Sequence, residues 1–276
     1  VPFNDGAATR PGLRDHAVGH GVGAMTLADV VAVTGLSRSS ATEAMRRARQ
    51  AGQFFAPVPG LYVPIPSEYS QWGVVPAMDF IDQMMGFLGR SYYVGLLSAA
   101  ELHGAAHQRP QVLQVMVDRR VADRDIERVH LRFYERRDLA QALIVLRNSR
   151  TAEVRVATPE VTMFDLAARP TASGSLDNVA TIAGELCEEH QLDADRLVHV
   201  AAQYPLAVVR RLGWLLDRVG FSADSAALAD ALHACVVSRS APGRRAVDLL
   251  AAGGPRRGPT NAKWGLVENA AVKPDL

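Results

Sequence analysis

Between residues 38 and 49 the chain sets Arg38, Arg46, Arg47 and Arg49 against a single carboxylate, Glu43, and mixes in Ser39, Ser40 and Thr42. A guanidinium forks onto the paired acceptors of guanine or grips phosphate, and short hydroxyls reach base edges without bulk, so this set suits contact with DNA. Such side chains read DNA only when a helix presents them together. Ala41, Ala44, Met45 and Ala48 recur at helical spacing and make a thin apolar face, which leaves the arginines and hydroxyls on the rest of the surface.

The neighbouring residues supply the frame. Thr26 with Asp29 reads as a capped helix start, Leu27, Val30 and Val31 as its buried stripe, Gly35 as its stop and Ser37 as the cap of the next helix. Phe54-Phe55 and Leu61-Tyr62-Val63 then read as two short strands around Pro57-Val-Pro-Gly60. This is the order of a winged helix-turn-helix, expected over residues 26–66. Arg38, Ser39, Ser40 and Thr42 are the base-edge candidates at the helix N-terminus, Arg46, Arg47 and Arg49 follow as DNA contacts, Gly60 shapes the wing tip and Tyr62 braces it. Many charge runs are simply solvated faces. Over residues 26–65 four arginines meet Asp29 and Glu43, a balance of +2, so few phosphates are met per copy and a dimer on DNA is expected.

The whole chain has 276 residues, 48% hydrophobic composition and a formal charge of +1, enough for two or three packed modules and too neutral for a general nucleic-acid coat. Cys187 and Cys235 stand alone in apolar helical contexts without metal-type spacing, which fits buried reduced thiols in a cytoplasmic protein. The sequence has no long apolar run of membrane-spanning length, and residues 1–25, with Gly19, Gly21 and Gly23, read as a flexible arm rather than a signal peptide or a phosphate cradle.

A second module is expected over residues 78–276, making the fold class α+β. Met78–Leu88 and Tyr92–His103 show helical spacing. Four strands follow within about 111–157, at Val112–Val117, around Val129–Phe133, at Leu143–Leu146 and at Val154–Val156. The segment of about 159–252 reads as helical, with starts near Pro159, Leu176, Asp193, Pro205 and Asp224 and a break at Gly220.

Three strings in this module resemble the AbiEi-type antitoxins, DNA-binding partners of abortive-infection nucleotidyltransferase toxins. They are Tyr92-Tyr-Val-Gly-Leu-Leu-Ser98-Ala-Ala-Glu101-Leu-His103-Gly104, Thr158-Pro159-Glu160-Val-Thr162-Met-Phe-Asp165-Leu166 and Arg211-Leu-Gly213-Trp-Leu-Leu216. Gly60-Leu61-Tyr62 fits the same pattern, and Trp264–Asn269 fits the family's final strand. The resemblance spans roughly residues 26–220 and leaves residues 1–25 outside. It implies autorepression by binding an inverted repeat in double-stranded DNA, and a second domain that opposes a nucleotidyltransferase-like toxin. In physical terms the strings read as helix starts, Ser98 with Glu101 as a capping box and Thr158 with Pro159 as a capped first turn, and no catalytic role follows.

No cofactor, metal or catalytic residue is expected. Gly174-Ser175-Leu-Asp177 is similar to a nucleotidyltransferase start, but Val179 stands where the second acid belongs. His103 and His107 are four apart, yet Gly104 follows the first where a zincin has glutamate. The tail from 239 to 263 holds Arg239, Arg244, Arg245, Arg256, Arg257 and Lys263 against Asp248, and these are candidates for further nucleic-acid or partner contacts. Two other readings stay open: an enzyme that modifies the toxin, using Asp118, Asp123, Asp125, Glu127 and Glu135 near strand ends, and a ligand-sensing transcription factor.

Overall fold

A computed structural model describes residues 12–105, 111–219, 223–240 and 248–275. The architecture is α+β, as expected, and the chain divides into two compact units. The first takes in residues up to Tyr93 with Gln111–Arg137 and Leu146–Arg155, and the second the remainder.

In the first unit α1 (Leu13–Gly19) leads through β1 (Met25–Thr26) into α2 (Leu27–Thr34) and α3 (Arg38–Gln50), followed by the hairpin β2 (Phe54–Val58) and β3 (Leu61–Pro64). The strands pair in the order β1-β3-β2, with Met25 opposite Tyr62 and a bulge between Phe55 and Val58. Ala17, Val30, Ala41, Met45 and Phe54 form the core of this region. The flexible arm expected over residues 1–25 is corrected for its second half. Residues 1–11 lie outside the described residues, but α1 and β1 are built because Ala17 is fully buried in that core and Leu13 and Val22 pack against it.

Beyond the wing come α4 (Ile81–Phe87) and β4 (Tyr92–Val94), then α5 (Leu96–Leu102) in the second unit. Tyr92–Val94, expected as helix, is a strand, since all three residues are buried and their run carries no helical period. The helix therefore starts at Leu96 with Gly95 as its cap, and Ser98, expected as the cap, is a buried residue of the helix interior.

The strands β5 (Val112–Val117), β6 (Arg124–Ile126), β7 (Val129–Glu135), β8 (Ile144–Asn148) and β9 (Glu153–Ala157) join β4 in a sheet of order β6-β7-β5-β4-β9-β8. Pairing is parallel for β5 with β7 and antiparallel for β6 with β7. Four strands were expected within about 111–157; among the described residues five lie there, and β4 is the sixth strand of the sheet. β6 has two charged residues, Arg124 and Asp125, out of three and no alternating apolar face, which hides it from pattern reading.

In the second unit α6 (Pro159–Ala168), α7 (Leu176–Glu189), α8 (Ala194–Ala201), α9 (Leu206–Val219) and α10 (Ala223–Arg239) begin close to the expected positions. Thr158, Ser175 and Asp193 cap α6, α7 and α8 through side-chain oxygens, as their types favour. The expected break at Gly220 lies outside the described residues. A small sheet closes the chain, β10 (Asp248–Leu249), β11 (Thr260–Asn261) and β12 (Leu266–Val267) in the order β10-β12-β11, and β12 falls within the segment expected as a final strand.

Candidate nucleic-acid interface

The local chemistry of the helix pair is complete. Thr26 accepts from the Asp29 amide at 3.3 Å while the Asp29 carboxylate accepts from the Thr26 amide at 2.7 Å, a reciprocal capping box. Gly35 takes φ 69°, the left-handed turn that lets α2 stop, and Ser37 accepts from the Ser40 amide at 3.2 Å to start α3.

On α3 the inner face is Ala41 and Met45, both fully buried, with Ala44 and Ala48 half-buried. Arg38, Ser39, Ser40, Thr42, Arg46, Arg47 and Arg49 are all exposed, so the structure brings the expected contact residues onto one helix and turns them to solvent. They differ in how freely they are held. Arg46 donates from Nε and Nη2 to both Glu43 oxygens at 2.8 and 2.6 Å, and from Nη1 to Gln50 at 2.9 Å. Arg47 shares the same carboxylate at 3.5 Å. The hydrogen bonds from Arg46, followed by the charges of both arginines, hold the Glu43 carboxyl below its ordinary range. Arg38 and Arg49 make no side-chain hydrogen bond or ion pair to any described residue. The hydroxyls are engaged locally: Ser37 bonds to Ser40 at 2.9 Å and lies 3.0 Å from Ser39, and Thr42 donates to the Arg38 carbonyl at 2.8 Å. Sequence reading missed that Glu43 and Gln50 restrain Arg46, although the three- and four-residue spacings carry that signal.

The wing is short and uncharged from Ala51 to Ile65. Its turn residue Gly60 is exposed at φ 92°, and a methyl there would lie 3.3 Å from the Phe87 ring. The tip therefore carries no cation. Tyr62 is half-buried against the N-terminal core, which fits a bracing role.

The basic tail does not form one set. Arg239 donates to the carbonyls of Ala201 and Tyr204, each at 2.9 Å, and so ties α10 to the end of α8. Lys263 pairs with Asp217 at 3.0 Å and Asp230 at 3.3 Å. Both candidates thus have partners within the fold and remain exposed. Arg256 and Arg257 are exposed, and Arg244 and Arg245 lie outside the described residues.

The suspected catalytic strings serve architecture. Gly174 turns at φ 87°, Ser175 caps α7, and Asp177 accepts from the Lys273 amide at 2.6 Å. α5 ends at Leu102 and Gly104 turns at φ 83°, so His103 is its C-cap, with Nε2 2.7 Å from the Ala157 carbonyl; His107 lies outside the described residues. Asp125 is held by His130 at 2.7 Å and Arg132 at 2.8 Å, and Asp123 accepts from the Phe133 amide. Among the described residues no cluster of histidine, cysteine or acid is arranged to hold a metal ion.

The other two strings have distinct structural jobs. Thr162 donates to the Thr158 carbonyl at 2.8 Å, and Asp165 accepts from the Tyr204 hydroxyl at 2.8 Å. Arg211, only 4% exposed, donates to the carbonyls of Ala167, Leu250 and Leu249 at 2.6, 2.6 and 3.3 Å. Burial lowers its affinity for the proton below the ordinary arginine level, with the charge of Asp248 opposing that shift. Gly213 lets the Trp264 ring lie on the α9 backbone, since a Cβ there would stand 2.1 Å from it.

Taken together, these elements define an α+β protein whose N-terminal elements follow the order of a winged helix-turn-helix. Residues 93–218 match the family model described as the AbiEi antitoxin C-terminal domain, which bears out the resemblance carried by the three strings and supports an antitoxin role in a toxin–antitoxin system. The fold is similar to the crystal structure of the RV2827C protein from Mycobacterium tuberculosis, with a TM-score of 0.65 and 17% identity over 95% of this chain and 93% of that one. No curated protein matches the chain. Among the described residues no helix is long and apolar enough to cross a membrane.

Proposed function

We propose that this protein is an antitoxin that represses its own operon by laying α3 into the major groove of an inverted repeat, while its C-terminal domain opposes a nucleotidyltransferase-like toxin. The observation that carries the DNA half is the solvent face of α3, where Arg38, Ser39, Ser40, Thr42, Arg46, Arg47 and Arg49 stand exposed on a helix whose opposite face is locked into the core. Arg38 opens the helix, where base edges come within reach, and Arg46, Arg47 and Arg49 follow toward its C-terminus. With a local balance of only +2, two copies on paired half-sites give the affinity one copy lacks. The antitoxin half is supported by the domain match over residues 93–218, and it works by binding in the cytoplasm without catalysis.

A gel-shift titration against DNA upstream of the coding region, with a scrambled competitor, tests the repressor half. Competitor-resistant binding to an inverted repeat is expected, and binding that the scrambled DNA displaces equally well overturns it. Co-expression with the neighbouring toxin tests the other half: growth is restored by the protein, and by an Arg38→Ala/Arg49→Ala variant as well.

A further inference from the structure

Asp79 closes a single 3-10 turn, Ala77–Asp79, in the first unit, and only 7% of its surface is exposed. Its Oδ1 accepts from the Arg150 amide at 3.2 Å, and no hydrogen-bond donor among the described residues meets Oδ2. The carboxylate lines a cavity of about 70 Å³ together with Thr151, Arg150 and a wall that includes Val22, Val63 and Val75. The nearest cation is drawn elsewhere, because the Arg150 guanidinium pairs with Glu68 at 2.9 Å and lies over the Tyr69 ring at 5.3 Å. Thr151 donates its hydroxyl to the Asp79 carbonyl and accepts from Gln83 Nε2 at 3.3 Å, while Gln83 Oε1 is buried with no hydrogen-bond partner among the described residues. Two acceptor oxygens thus lack donors around Thr151, and one of them belongs to a buried carboxylate whose pKa burial raises, against the Arg150 amide and charge.

We propose that this cavity binds the primary ammonium head of a short aliphatic amine. An ammonium brings N–H donors, no acceptor and a positive charge in direct contact with the carboxylate, which the Arg150 guanidinium, paired with Glu68, does not supply. A water molecule supplies donors without the charge, and the cavity is several times the roughly 10–15 Å³ that one water occupies. The valine wall takes the alkyl stem. This site lies apart from the exposed face of α3, and its existence does not rest on DNA binding.

Calorimetric titration of the full chain with n-propylammonium chloride tests the site, with n-propanol and tetramethylammonium chloride at matched ionic strength as controls. Saturable binding of n-propylammonium alone is expected, with affinity lowered at least tenfold in Asp79→Asn, which keeps the acceptor for the Arg150 amide. Val75→Phe fills the cavity and leaves the carboxylate in place, so it loses binding too and decides the matter if Asp79→Asn does not fold. The proposal is overturned if n-propylammonium gives no saturable heat, if either control binds as well, or if a folded variant binds like the parent protein.

Discussion

The arginines of α3 and the buried pair on α9, Arg210 and Arg211, are the same fork put to opposite uses. Arg46 and Arg47 keep 55% and 68% of their side-chain surface in solvent and have only neighbours on their own helix as partners. Arg210 and Arg211 are 5% and 4% exposed, one paired with Asp248 at 2.7 Å and the other spanning three backbone carbonyls. A guanidinium that must leave its partners to meet DNA needs weak local ties, whereas one that joins a helix to a distant strand needs to be desolvated and held by partners there. Charge counted along the chain does not separate the two; partners do.

The largest effect expected from this contrast is Arg211→Ala. It leaves the carbonyls of Ala167, Leu249 and Leu250 without their donor, and each buried orphan costs about 1–3 kcal/mol, so the urea midpoint should collapse. Arg211→Lys should fail to restore it, because an ammonium cannot span three acceptors in one plane. Next in size is Gly213→Ala, whose Cβ would stand 2.1 Å from Trp264; overpacking of this kind costs about 1–3 kcal/mol, and a melting temperature equal to that of the parent protein would show that the tryptophan has room to move.

Changes on α3 should reverse the pattern, leaving stability alone and altering DNA binding. Glu43→Gln releases Arg46 and Arg47 from their shared carboxylate, and we expect tighter binding to scrambled DNA and a lower ratio of specific to non-specific affinity in competition gel shifts. Unchanged competition would mean that the intrahelical pairing does not restrain these side chains.

The smallest effect is on pH. Hydrogen bonds from Trp214 and then Asn261, with the charge of Arg218 behind them, hold the Glu268 carboxyl below its ordinary range. Its contribution to stability is therefore present above the ordinary glutamate pKa and is lost as pH falls through the lowered value in the fold. Glu268→Gln should flatten that acid limb in denaturation midpoints taken across pH, and a limb of unchanged slope would remove Glu268 as its source.

What was legible in the sequence follows from distance along the chain. Thr26 with Asp29, Ser37 with Ser40 and Thr158 with Pro159 are capping signals within a few residues, and the structure builds each of them. The exposed face of α3 was legible for the same reason, since Ala41 and Met45 mark the opposite side. Arg211 was readable only as part of a motif, because its partners lie at Ala167 and Leu250, and Gly213 needed Trp264 to explain it. Arg239 and Lys263 read as free basic residues until distant carbonyls and carboxylates claimed them. α1 was missed because seven residues among glycines carry little pattern of their own and depend on contacts from other elements.

The most direct test of the account is the salt dependence of binding to DNA upstream of the coding region, measured for the parent protein, for Arg38→Ala/Arg49→Ala and for Arg256→Ala/Arg257→Ala. The account predicts that the α3 pair weakens binding and flattens the slope of log affinity against log salt by about 0.9 for each phosphate the helix no longer neutralises, while the tail pair leaves both unchanged. A slope that stays with the α3 variant and falls with the tail variant would contradict it and move the DNA-binding surface to the C-terminal region.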